Sequence, residues 1–113
     1  MLARAARVRK SDEFTAVAAS ARPVRGEYLQ LRSIKSPGQP RFGFIVSTRV
    51  SPLAVVRNVI KRRLRAIIRQ HYGQIRPNTV TVITARPPAA RASHQDLRTD
   101  TETLLARANL LET

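Results

Sequence analysis

Arg57, Asn58, Lys61, Arg62, Arg65 and Arg69 recur mostly at spacings of three and four along one short stretch. At roughly 100° per residue, Asn58, Arg62, Arg65 and Arg69 share one face of a helix, with Arg57 and Lys61 at its seam and Arg63 on the other flank. Guanidinium and ammonium groups arranged this way bind phosphate oxygens, arginine by a two-pronged fork. No carboxylate interrupts the face. The pairs Arg57–Lys61, Lys61–Arg65 and Arg65–Arg69 repel at helical spacing, where a solvated helix gains a few tenths of a kcal/mol from each opposite pair. Folding alone gives no reason to keep them; an anionic partner does.

Bond-breaking chemistry finds less support. His71 and His94 are the two histidines, and neither has a spaced partner. His71 reads as a packed or helix-terminus residue, and His94 as part of a first turn. Asp12 and Glu13 are adjacent helix-start residues, and no acidic cluster could hold Mg²⁺ as a protein-only nuclease requires. A phosphate-cradling glycine loop is missing too. The chain reads as a binder.

The elements that must position these residues follow from pattern. From Ser51 to Tyr72, Leu53, Val56, Ile60, Leu64, Ile67, Ile68 and His71 form one apolar stripe, so the cationic helix belongs to a folded domain. Ser51 is expected as its N-cap, Pro52 as its first residue and Gly73 as its stop. Ser11 is expected to cap a short first helix carrying Phe14, Val17 and Ala18. Arg22-Pro23 and Arg25-Gly26 mark a turn, and Tyr28 to Arg32 alternates as a half-buried strand. Ser36 to Pro40 is a loop; Arg41 to Thr48 is a second strand expected to form a hairpin with the first, its Gly43 suggesting a bulge or close approach. Thr79 to Ala85 is the most β-prone run, its threonines expected to give one side a polar surface. Ser93 and Asp96 outline a capping box for a last helix with Leu97, Leu104, Leu105, Ala108 and Leu111 on one face. Asp96, Asp100 and Glu102 come early in it and Arg107 late, as the macrodipole favours. The order is α-β-β-α-β-α, with room for one extra short strand: an α+β fold, a small two-layer sandwich.

Composition narrows the partner. The 113 residues carry a formal charge of +14, and no Asp or Glu falls between Glu27 and Asp96. Such a surface attracts polyphosphate and releases counterions on binding. An apolar fraction of 42% suits a folded domain better than a basic tail. Cysteine is absent, which excludes disulfides and thiolate metal sites and permits a reducing compartment. No run approaches a membrane span. One domain over 1–113 is expected, opened by a basic arm at 1–10 that lacks the apolar block of a secretory signal.

Val55-Val56-Arg57-Asn58-Val59-Ile60-Lys61-Arg62-Arg63-Leu64-Arg65 closely resembles the arginine–asparagine–arginine signature helix of the bacterial ribonuclease P protein family. Phe42 to Val50, Arg9 to Phe14 with Val17, and Val82 to Pro87 resemble that family's preceding strand, opening helix and following strand, in the right order over almost the whole chain. The signature's second arginine is Val59 here, and Ala18 stands where the family often has a second aromatic. The resemblance implies a fold like the second domain of ribosomal protein S5, with a left-handed βαβ crossover around the signature helix. It implies a subunit, one per RNA and cytoplasmic, that joins a catalytic RNA and assists endonucleolytic removal of the 5′ leader from precursor tRNA. Catalysis would lie with the RNA and Mg²⁺ bound mainly through it, with no organic cofactor and no membrane partner. By the same resemblance Arg57, Asn58, Lys61, Arg62, Arg65 and Arg69 contact the RNA subunit, and Lys10, Phe14, Tyr28 and Arg49 line the leader cleft. The alternative is a basic ribosomal-protein-like or DNA-binding module with no role in cleavage. Strands before the cationic helix and a long loop after it do not match a helix–turn–helix pairing.

Overall fold

The computed structural model describes the backbone of residues 11–20 and 22–112 and the side chains of 15–19 and 22–112. These form α1 (Ser11–Ser20), β1 (Val24–Arg25), β2 (Leu29–Lys35), β3 (Arg41–Ile45), α2 (Ala54–His71), β4 (Thr79–Ala85) and α3 (His94–Arg107). Short 3-10 turns at Tyr72–Gln74 and Pro87–Arg91 follow α2 and β4. The basic arm at 1–10 lies outside the described residues.

The sheet order is β1-β2-β4-β3. The hairpin expected of β2 and β3 is therefore not formed: β4 lies between them, antiparallel to β2 and parallel to β3. A run of β-branched residues buried on both faces belongs at the centre of a sheet, and it displaces the local pairing. Asn78 prepares the insertion. In the left-handed region at φ 62°, it donates to the Gly38 carbonyl at 2.8 Å and accepts the Gly38 amide on Oδ1 at 2.9 Å, tying the β2–β3 loop to the start of β4. The α2 crossover supplies the length that parallel β3 and β4 need.

Leu29, Leu31, Phe42, Ile83 and Ala85 face one way and meet Ile60, Leu64, Ile67 and Ile68 of α2 and Leu97, Leu104 and Leu105 of α3. Fully burying each of the leucine, isoleucine and phenylalanine side chains is worth roughly 1.5–3 kcal/mol. On the other face Val80, Val82 and Ile34 pack Val17 of α1. Thr81 lies fully buried, so the threonines of β4 do not form the expected polar surface. Its alternation places Thr81 with Ile83 on the face covered by α2 and α3. Gly43 pairs regularly with Val82 and makes no bulge.

Two helix ends differ from expectation. The Ser51 hydroxyl accepts the Leu53 amide at 3.1 Å, closing a turn rather than capping a helix, so α2 starts at Ala54 after Leu53. Leu53, expected in the buried stripe, is consequently exposed. At the other end Gly73 does not stop the helix; it sits within the 3-10 turn without a positive φ. The capping box of α3 forms as read: Ser93 Oγ accepts the Asp96 amide, and Asp96 Oδ2 accepts the Ser93 amide, both at 3.0 Å.

Candidate nucleic-acid interface

Ile60, Leu64, Ile67 and Ile68 anchor α2 in the core and turn its other side to solvent. Asn58, Arg62 and Arg69 are exposed there, while Arg57, Lys61 and Arg65 are half-buried along its edges. Arg62, Arg65, Ala66, Arg69 and Gln70 line a concavity of about 600 Å³. Within it the Arg65 Nε is buried and has no hydrogen-bond partner among the described residues. Ala66 and Gln70 were not singled out by sequence; their positions next to Arg65 and Arg69 were the available signal.

None of these cations forms an ion pair with a described carboxylate. The reason lies in α3, whose three acids are committed elsewhere. Asp96 completes the capping box. Asp100, buried, accepts the backbone amides of Glu27, Tyr28 and Leu29 at 3.2, 3.0 and 2.9 Å. Glu102 meets His71 Nε2 at 2.8 Å, while His71 Nδ1 lies 2.8 Å from the Ile67 carbonyl. His71 is thus a packed residue tying α2 to α3.

Arginines themselves divide into two groups. Arg57 donates to the Ser51 carbonyl at 3.0 Å, Arg86 to the Gly26 and Glu27 carbonyls at 2.6 and 3.1 Å, and Arg107 to the Arg25 carbonyl at 2.9 Å. These hold turns together, although Arg57 keeps further donors. Lys61, Arg62, Arg65 and Arg69 have no such side-chain partner among the described residues.

The remaining predicted residues are spread out. Arg49 is exposed in the turn after β3, its amide 3.3 Å from Ser47 Oγ. Tyr28 packs against the main core and lines a concavity of about 420 Å³ with Pro87, Pro88 and Arg91. Burial raises its hydroxyl pKa, and the nearby carboxylates of Asp96, Glu27 and Asp100 add to the rise. Lys10 and the side chain of Phe14 lie outside the described residues.

Among the described residues no group of three or more His, Cys, Asp or Glu could hold a metal ion. The Mg²⁺ that the resemblance implies finds no ligand set among the described residues. No described helix is long and apolar enough to cross a membrane.

Fold and site together define a small α+β protein with one arginine-rich helix whose cations no described carboxylate neutralises. The Ribonuclease P family model matches residues 2–109, and the chain belongs to that family. The ribonuclease P protein component of Pseudanabaena sp. is 37% identical over 113 residues, covering 98% of this chain and 97% of the relative. That of Beutenbergia cavernae is 38% identical over 112 residues, covering 97% and 93%. The RNase P protein of Staphylococcus aureus superposes with a TM-score of 0.88 at 23% identity, covering 96% of this chain and 100% of the other. That of Thermotoga maritima gives 0.80 at 24%, covering 89% and 96%; both share the fold.

Proposed function

We propose that this chain is the cytoplasmic protein subunit of ribonuclease P, one per catalytic RNA, assisting removal of the 5′ leader from precursor tRNA. The observation that carries the reading is the α2 face, where Lys61, Arg62, Arg65 and Arg69 project from a rigid helix with no described carboxylate paired to them. On this reading Arg57, Asn58, Lys61, Arg62, Arg65 and Arg69 hold phosphates of the RNA subunit, chiefly through charge and arginine forks. Lys10, Phe14, Tyr28 and Arg49 attend the single-stranded leader. With aromatics at 4% of residues, charge carries more of the affinity than stacking. Hydrolysis, on this reading, belongs to the RNA and the Mg²⁺ bound mainly by it.

The decisive experiment mixes the protein with a bacterial ribonuclease P RNA at low Mg²⁺ and follows cleavage of precursor tRNA. Cleavage at the mature 5′ end is expected only when both are present. A folded protein that gives no stimulation, or that cuts without RNA, would overturn the assignment.

A further inference from the structure

Pro52, Leu53, Ala54 and Val55 are four consecutive apolar residues, and all four are exposed. Leu53 is 61% and Val55 72% accessible, the two most exposed large apolar side chains among the described residues. A single surface leucine needs no explanation. A run of this length, at the head of the helix that carries the cationic face, does.

The run is also held rigid. Ser51, buried beneath it, accepts the Leu53 amide on Oγ at 3.1 Å and the Arg57 guanidinium on its carbonyl at 3.0 Å. The Leu53 carbonyl in turn accepts the amides of Val56 and Arg57 at 3.1 and 3.2 Å. Three of the four apolar groups thus sit on backbone fixed before any partner arrives, which lowers the entropy cost of contact. By helical phase Val55 shares its direction with Arg62, seven residues on and about two turns away. Exposed Arg49 lies just before the run and Asn58 just after it.

We infer that Pro52–Val55 is an apolar platform for unpaired bases of the RNA that α2 binds. The surrounding charge selects this occupant. A second copy of a chain carrying +14 would be repelled. A polyanion is attracted, and the only broad apolar surfaces it offers are its bases, accessible where they are not stacked in a duplex. The inference rests on the reading of α2 as RNA-facing and adds to it a contact that salt does not weaken. The α2 cations supply the salt-dependent part of the affinity; the platform supplies a part that persists when phosphates are screened.

The test compares the full-length protein with a Leu53→Ser/Val55→Ser variant, using a transcribed bacterial ribonuclease P RNA and a fully paired RNA duplex. Kd is measured across a KCl series, with unfolding midpoints to verify that the variant is folded. The variant should bind the ribonuclease P RNA roughly tenfold more weakly at every salt concentration, with the wild-type slope of log Kd against log salt, and should bind the duplex as wild type does. An unchanged Kd, a flattened slope, or an equal loss on the duplex overturns the inference. So does wild-type self-association that the two serines abolish. An Arg62→Ala/Arg65→Ala variant run alongside separates the two readings. If it alone behaves as wild type, the cationic-face reading fails while the apolar contact stands.

Discussion

Asp100 and Gly26 occupy one another's space: a Cβ added to Gly26 would collide with both carboxylate oxygens of Asp100. The glycine is what lets a buried carboxylate reach the amides of Glu27, Tyr28 and Leu29. Arg86 and Arg107 hold the carbonyls of the same turn, so its backbone is satisfied from both sides. Gly26→Ala should destabilise the fold by roughly 1–3 kcal/mol through overpacking. Asp100→Ala should cost about 3 kcal/mol by stranding amide donors, and Asp100→Asn less, since one acceptor oxygen survives. Urea unfolding of the three variants checks the order.

The Tyr72 hydroxyl donates to the Pro40 carbonyl at 2.5 Å and fastens the loop after β2 to the end of α2. Burial raises its pKa above the ordinary 10.0. The folded state therefore holds the phenolic proton at a pH where the unfolded chain has begun to lose it. Its contribution is fully present below pH 10 and declines as pH rises through the folded-state value. Tyr72→Phe should cost about 1 kcal/mol at neutral pH and remove that alkaline decline. Unfolding midpoints measured upward from pH 9 to 11, roughly spanning the tyrosine range, would show whether the two curves converge.

Arg62→Ala/Arg65→Ala should weaken binding to the ribonuclease P RNA and lower the slope of log K against log salt by roughly 1 to 2, the counterion release of about two phosphate contacts. The protein's own stability should hold or rise slightly, because like charges at helical spacing are relieved. A folded variant with an unchanged slope would mean that these arginines face water.

His71 and Glu102 join α2 to α3 at 2.8 Å, with the histidine mostly covered and the glutamate side chain 45% exposed. Because one partner is so open, a double-mutant cycle of His71→Gln and Glu102→Gln should return a coupling of only about 0.5–1 kcal/mol. Zero coupling would make the pair a consequence of the α2–α3 packing rather than a contributor to it.

Much of the architecture was legible because it was local. The stripe of Ile60, Leu64, Ile67 and Ile68 in α2 and the Ser93–Asp96 box of α3 each depend on residues within a few turns of one another. The hairpin expectation failed because the choice between β3 and β4 as neighbour of β2 is settled by burial on both sheet faces, which no local run records. Ser51 looked like a cap, and three-residue proximity to Ala54 could not reveal that its hydroxyl closes a turn onto Leu53.

The sequence by itself determined the charge, its lack of acids from Arg32 to Arg91, and the helical period that lines Arg62, Arg65 and Arg69 along one face. Those are properties of composition and of a repeat of 3.6, and they need no neighbours to be true. Only the tertiary structure decided which cations stay available. Arg57, Arg86 and Arg107 look like the others in the sequence, yet backbone carbonyls claim donors from each of them. The acids of α3 likewise go to a cap, a distant turn and a histidine, because packing brings residues as far apart as Glu27 and Asp100 within hydrogen-bond reach. What remains unclaimed on α2 by the described residues is the cationic surface that we propose for RNA.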